Sequence, residues 1–157
     1  MSPNRSRRTG FTLLELVIVV VIIGIIAAIA IPRMSRGSAG ASDKALAGDL
    51  AVLRNAIDLY GAEHTGTYPA VATIATQLTQ YSDNNGNTVA TQDANHIYGP
   101  YLRTVPPLPV GAAKGNTGMA AATGTGVGWI YTASTGVIQA NTTNSEVDAA
   151  GVQYNTY

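Results

Sequence analysis

The chain has 157 residues, no cysteine, and nine acidic against nine basic side chains. This length suits one small domain once the first ~30 residues are set aside, and the lack of cysteine excludes disulfide bonds and thiolate metal sites. Three arginines lie within residues 1–10, so the remainder carries six basic and nine acidic side chains and offers no basic footprint for nucleic acid. Only 11% of residues are charged, against a usual ~25%.

Residues 1–10 are short and basic, and a long apolar run follows them directly. The run, Phe11 to Ile31, reads FTLLELVIVVVIIGIIAAIAI. As a helix rising ~1.5 Å per residue it would cross the ~30 Å hydrocarbon core of a bilayer. We therefore predict a transmembrane helix over residues 11–31. The basic residues before it predict a cytoplasmic N-terminus and an outward C-terminal domain.

One carboxylate, Glu15, interrupts the first turns of this apolar segment. A charged side chain costs on the order of 2.5 to 3.5 kcal/mol at the bilayer centre and less near its edge, so it usually has a partner. Within its own helix only the hydroxyl of Thr12, three residues earlier, could help. The sequence therefore predicts that a partner for Glu15 comes from outside the segment.

The residues RRTG followed by FTLLELVIVVVIIGIIAAIAIP resemble the leader and N-terminal helix of type IV prepilins and type II secretion pseudopilins. The resemblance implies cleavage after Gly10 by a membrane peptidase, which also methylates the new N-terminus at Phe11. It also implies that Phe11, Thr12 and Glu15 take part in filament assembly, with Glu15 meeting the N-terminal amine of a neighbouring subunit.

The same resemblance implies the partners and the location of the protein. The partners are other copies of the chain in a helical filament, the prepilin peptidase and methylase, an inner-membrane assembly platform, and the membrane before assembly. The location is the bacterial inner membrane for the precursor, then a periplasmic or extracellular filament.

Two other interpretations of the N-terminus stay open. One is an ordinary secretory signal cut at small residues such as Ala39-Gly40-Ala41, although the apolar run exceeds the ~7 to 15 residues usual for such a signal. The other is a signal anchor that is never cleaved.

The middle of the predicted helix contains residues that weaken helices. An interior Gly costs roughly 1 kcal/mol and an interior Pro ~3 kcal/mol, so we predict a kink at Gly24 and Pro32. Helical periodicity then returns, with Ser42 or Asp43 as a possible cap. Apolar residues recur at spacings of four and three, and they predict a core-facing stripe: Leu46, Leu50, Leu53, Ile57 and Tyr60.

Residues 66–157 contain short apolar runs broken by Gly, Pro, Asn and Thr, which is typical of a small sheet with long loops. The runs 128–132 and 137–141 flank a four-residue turn and predict a hairpin. Trp129 and Tyr131 should share one face of it, with Ile130 on the other. The proline-rich passage 98–109 predicts extended chain rather than a central strand.

Three parts of this region, Tyr68-Pro69, GPYL and GWIYTASTG, resemble the major pseudopilin of type II secretion. The predicted fold is α+β, a long N-terminal helix packed on a small antiparallel β-sheet domain. The first half of the helix spans the membrane and the second half is amphipathic. The predicted organisation is a cleaved leader at 1–10, the helix at 11–65 and a globular domain at 66–157.

The sequence offers little chemistry for catalysis. His64 and His96 have no acid or nucleophile at a recognisable spacing, so we interpret both as exposed or loop residues, and we predict no enzyme and no cofactor. Residues 83–87 lack the glycine and glutamate positions of a calcium-binding EF-hand loop. Major pseudopilins commonly hold calcium in a C-terminal loop, but here only Glu146 and Asp148 offer carboxylates, too few to transfer that site.

The sequence favours a structural filament subunit over a monomeric membrane-anchored binding domain and over an anchored enzyme. Two kinds of filament stay open, a periplasmic pseudopilus for type II protein secretion and an extracellular pilus for adhesion, motility or DNA uptake. GPYL and GWIYTASTG favour the pseudopilus, while the missing calcium carboxylates count against it.

Overall fold

The structure, a computed structural model, describes residues 11–157, with the side chains of residues 29–39 excepted. The predicted leader at 1–10, including Gly10, lies outside the described residues, and so does the side chain of Pro32. The chain divides into two compact units, one ending at Ser38 and the other covering Ala39–Tyr157.

Helix α1 is a single helix of 51 residues over Leu13–Glu63. Neither Ser42 nor Asp43 caps a new helix, because helical structure continues through both. The helix also contains Gly24 and Pro32, and the kink expected there stays a prediction.

No helix in the described part of the chain is both long enough and apolar enough to cross a membrane. The predicted transmembrane helix covers residues 11–31, and the side chains of residues 29–31 lie outside the described part of the chain. The span therefore stays a prediction.

The second unit is built on the amphipathic part of α1. The predicted stripe is confirmed, because each of its members is buried in one apolar core. Elements and loops further along the chain contribute other large members of the core: Ile74, Leu78, Leu108, Trp129, Tyr131 and Ile138.

Short elements follow α1 along the chain. Helix α2 covers Ile74–Thr79, and strands β1 (Tyr81–Ser82) and β2 (Thr88–Val89) form an antiparallel pair. A second sheet has the order β3-β4-β5, and a 3₁₀ turn at Tyr154–Thr156 ends the chain. The three strands of this sheet are Gly118–Ala120, Val127–Thr132 and Val137–Ala140.

The predicted hairpin is strands β4 and β5, which pair antiparallel with Tyr131 opposite Ile138. Trp129 and Tyr131 are buried and Ile130 is half-buried, so the predicted facing is confirmed. The sheet is mixed rather than purely antiparallel, because β3 pairs parallel to β4. A side chain at Gly128 would place its Cβ 2.2 Å from the carbonyl oxygen of Asn116. The close approach of these two backbone segments therefore requires glycine at position 128.

The two large buried aromatic side chains of β4 also hold the loops. Trp129 is fully buried, and its indole N–H donates to the carbonyl oxygen of Pro106 at 2.9 Å. The hydroxyl of Tyr131 donates to the carbonyl oxygen of Pro69, also at 2.9 Å. The passage 98–109 contains no strand, as its prolines predict, and only Tyr98 at its start forms an isolated bridge, to Ser82. The hydrogen bond from Trp129 attaches this passage to the sheet.

Replacing Trp129 by alanine should lower the free energy of unfolding by ~3 to 5 kcal/mol, because it empties a fully buried site. Ile130→Ala, on the other face of the same strand, is the matched control and should cost much less. Urea unfolding of the full chain in detergent, followed by the near-UV circular dichroism of its eight tyrosines, measures both. Equal losses in the two variants would contradict the assigned facing.

Candidate assembly site

The start of α1 forms a reciprocal cap between Thr12 and Glu15. The backbone N–H of Glu15 donates to Thr12 Oγ1 at 3.2 Å. In return, Glu15 Oε2 accepts from the backbone N–H and from the hydroxyl of Thr12, both at 2.8 Å. Thr12 directly precedes the first helical residue, so this is a capping box, in which two otherwise unpaired backbone donors are satisfied at the helix terminus.

The capping box gives Glu15 partners within its own segment, and the further partner expected from outside the segment stays a prediction. The hydroxyl of Thr12 helps, as considered, but so does its backbone N–H, which side-chain spacing alone does not show. The T-x-x-E pattern is itself a sequence signature of this cap and would have predicted it. In the described part of the chain no donor reaches Glu15 Oε1, whereas Oε2 accepts twice.

The apolar side chains that follow the cap are exposed. The large hydrophobic residues from Phe11 to Ile26 all expose about half of their surface or more, with Phe11 at 80% and Leu13 at 83%. A contiguous apolar surface of this extent marks a site of contact with protein or membrane. Gly24 lies within it, and a Cβ built there would contact no described atom within 4 Å.

The second half of α1 also carries weakly polar residues on the side away from its core. The outer face of a surface helix is normally charged or polar, yet Val52 and Leu59 are each about half exposed. They belong to a row of exposed positions at spacings of four and three that contains no charge: Ala41, Ala45, Gly48, Val52, Asn55, Leu59 and Ala62.

His64 lies in the turn after α1, outside regular secondary structure as expected, but it is not exposed, because only 3% of its surface is accessible. Its ring stacks on Tyr60 with centroids 3.8 Å apart. Its nitrogens lie 2.9 Å from the carbonyl oxygen of Tyr60 and 3.0 Å from that of Asp83. Position 64 continues the apolar stripe after Leu53, Ile57 and Tyr60, and this spacing is the signal that would have placed it in the core.

His96 lies in a loop, as expected, with one ring nitrogen 2.8 Å from Asp93. The segment 83–87 connects β1 to β2, and Asp83 accepts hydrogen bonds there from the backbone N–H groups of Asn85 and Asn87. Within the described residues, no group of three or more His, Cys, Asp or Glu is placed to hold a metal ion.

Comparison with known families identifies the N-terminal segment. Residues 5–31 match the family model described as the prokaryotic N-terminal methylation motif. The N-terminal segment is therefore similar to a type IV pilin-like leader. The match contains Gly10, Phe11, Thr12 and Glu15, so the capping box lies inside the motif. Comparison with curated proteins and with solved structures found no match.

The motif carries a coarse functional conclusion. The motif is similar to the leader of type IV pilin-like precursors, which in general a prepilin peptidase processes. The match covers only residues 5–31, so it carries no information about the fold of residues 32–157.

Thr12→Ala should loosen the start of α1 by about 1 kcal/mol, because it removes the hydroxyl of the cap. The backbone amides of Glu15 and Leu16 should then exchange with solvent roughly fivefold faster, as measured by NMR on the full chain in detergent. Thr12→Ser keeps the hydroxyl and should behave like wild type. Equal exchange in the alanine and serine variants would show that the capping box does not form.

Proposed function

We propose that this protein is the structural subunit of a type IV filament. It is stored in the inner membrane as a precursor and assembles after cleavage between Gly10 and Phe11. One observation carries the proposal: a prepilin-type motif leads directly into a helix whose large apolar side chains, Phe11 to Ile26, are exposed. Such a helix needs an apolar environment that its own fold does not provide.

Lipid meets this need before assembly, and the same helix from other subunits meets it afterwards. Lipid tails are as apolar as leucine, so exchanging them for protein gains little from hydrophobicity. Close packing and polar pairs must therefore drive the helices together. Glycine and alanine along α1, including Gly24 and Gly48, would let helices approach closely.

Glu15 supplies the polar pair in this proposal. Cleavage turns the backbone N–H of Phe11 into an amine that lies about 6 Å from Glu15 along the helix axis, at ~1.5 Å per residue. A subunit displaced axially by about that distance would bring its Glu15 beside the amine of its neighbour. Glu15 Oε2 could stay with Thr12 while Oε1 accepts from the amine. The pair would penalise every register that leaves a charge unpartnered, so it selects register more than it adds stability.

Within this class we propose a pseudopilus for type II protein secretion. Its support is the resemblance of Tyr68-Pro69, GPYL and GWIYTASTG to the major pseudopilin. The alternative is a major or minor subunit of an extracellular pilus. It is favoured by the side chains of Glu146 and Asp148, the two carboxylates that a pseudopilin calcium site would use, because both already accept hydrogen bonds within the protein. Deleting the gene and assaying protein secretion and surface pili in parallel separates the two, because each predicts loss of a different phenotype.

The mature protein should begin at Phe11 and carry one N-methyl group. Intact-mass measurement on purified filaments determines this, and Gly10→Leu should leave full-length precursor in the membrane. Leu14→Ala, a change within the helix but away from the junction, is the control and should be processed normally. A retained leader would favour a monomeric membrane-anchored binding domain, and a mature N-terminus at Ser42 would indicate an ordinary secretory signal.

Glu15→Ala and Thr12→Ala form a matched pair for testing assembly. Both break the capping box, but only the first removes the carboxylate. Both should be inserted and cleaved normally. In competition with wild type, Glu15→Ala should enter filaments at least about tenfold less, because the amine of its neighbour loses its counter-charge. Thr12→Ala keeps the charge and loses only the hydroxyl that helps to position it, so its loss of incorporation should be much smaller. Equal incorporation would remove the proposed role of the charge, and normal assembly of Glu15→Gln would show that hydrogen bonding suffices.

A further inference from the structure

The C-terminal loop, residues 141–157, contains the two carboxylates that a pseudopilin-type calcium site would have to use, Glu146 and Asp148. Calcium takes about six to eight oxygen ligands, and carboxylates serve it by pointing free lone pairs at one point. Whether these two side chains fit such a site depends on what their oxygens already accept.

Glu146 is bound on both oxygens. Oε2 accepts from the backbone N–H of Thr143 at 2.7 Å and from its hydroxyl at 3.1 Å. Oε1 accepts a short hydrogen bond from the backbone N–H of Ala112, which lies 34 residues earlier in the chain. Glu146 therefore joins the C-terminal loop to the loop that follows Val110.

The loop around Gly111 is shaped to receive this carboxylate. Gly111 has φ of +71°, a conformation that favours glycine. A Cβ there would lie 2.7 Å from Glu146 Oε1. The missing side chain thus leaves the space through which Glu146 reaches the N–H of Ala112.

Asp148 is bound in the same way within its own loop. Oδ1 accepts from the backbone N–H groups of Ala150 and Val152, both at 2.8 Å, and Oδ2 accepts from the hydroxyl of Tyr157. The nearby carboxylate of α1, Asp43, accepts from the hydroxyl of Tyr154 at 2.8 Å and from the N–H of Ala149 at 3.3 Å.

These donors favour the ionised carboxylates. The backbone N–H groups of Thr143 and Ala112 lower the pKa of Glu146. The hydroxyl of Tyr157 and the N–H of Val152 do the same for the pKa of Asp148. N–H and O–H donors already use about three of the four lone-pair sites of each carboxylate. Within the described residues these carboxylates are not part of any group of three or more His, Cys, Asp or Glu placed to hold a metal ion, so this donor set does not fit calcium.

We propose that the C-terminal loop is held by carboxylate-to-backbone hydrogen bonds centred on Glu146 and Asp148, in the role that calcium would otherwise fill, and that it folds without the ion. The proposal concerns the folding of the loop and stands whether or not the protein forms a secretion pseudopilus.

Hydrogen exchange by NMR on the full chain in detergent tests the proposal, once with millimolar calcium and once with excess EGTA. The four backbone amides that donate to the two carboxylates should be equally protected in both conditions: Ala112, Thr143, Ala150 and Val152. Glu146→Gln should speed the exchange of the first two about tenfold, and Asp148→Asn the last two, because each removes a charged acceptor. Calcium should restore neither.

Asp93→Asn is the matched control. Asp93 accepts from the backbone N–H groups of Asn95 and His96 in another exposed loop, so its replacement should leave the four amides unchanged. Greater protection in calcium than in EGTA would overturn the proposal. So would saturable calcium binding to wild type by calorimetry that Glu146→Gln abolishes. The wild-type comparison decides the matter even if a variant fails to fold.

Discussion

The second unit depends on one apolar core that is shared by one face of α1 and the aromatic side of β4. The stripe around Leu46 to Tyr60 and the pair Trp129 and Tyr131 are all buried in one core. The strands are too short to hold a sheet together alone, since the longest has six residues. The helix therefore supplies a continuous apolar surface that is buried together with the short strands and long loops.

Side-chain to backbone hydrogen bonds then fix the loops, because few charges are available to do so. Trp129 holds the passage at Pro106 and Tyr131 holds that at Pro69. The buried amide of Gln77 bonds the backbone at Ala70 and Gly86. In the parts described, the one contact between an acidic and a basic side chain joins His96 to its near neighbour Asp93, and surface pairs contribute little even when both partners are charged. In this protein, hydrogen bonds between buried polar side-chain groups and the backbone hold the loops, a role that charged surface pairs do not fill.

The features that sequence predicts well here are those set by local periodicity. The stripe on α1 and the facing of Trp129 follow from repeats of 3.6 and of 2, which the core enforces. What escaped prediction depends on distant partners: the parallel pairing of β3, the burial of Asp43 under Tyr154 and Ala149, and the contact between Glu146 and Ala112 each join residues that local sequence does not relate. Two misses were local and avoidable, the T-x-x-E cap at Glu15 and the place of His64 in the stripe.

The capping box changes how a carboxylate can be tolerated at the start of an apolar helix. A lone charge in that position would favour any arrangement that removes it from lipid, and the precursor would be poorly stored. Because Thr12 already donates twice to Oε2, part of the desolvation cost is offset within the subunit. The cap also satisfies the helix terminus, where backbone N–H groups carry partial positive charge and favour a carboxylate. In the filament that we propose, the amine of Phe11 therefore meets a carboxylate whose position is already fixed, and less side-chain freedom is lost when the two pair.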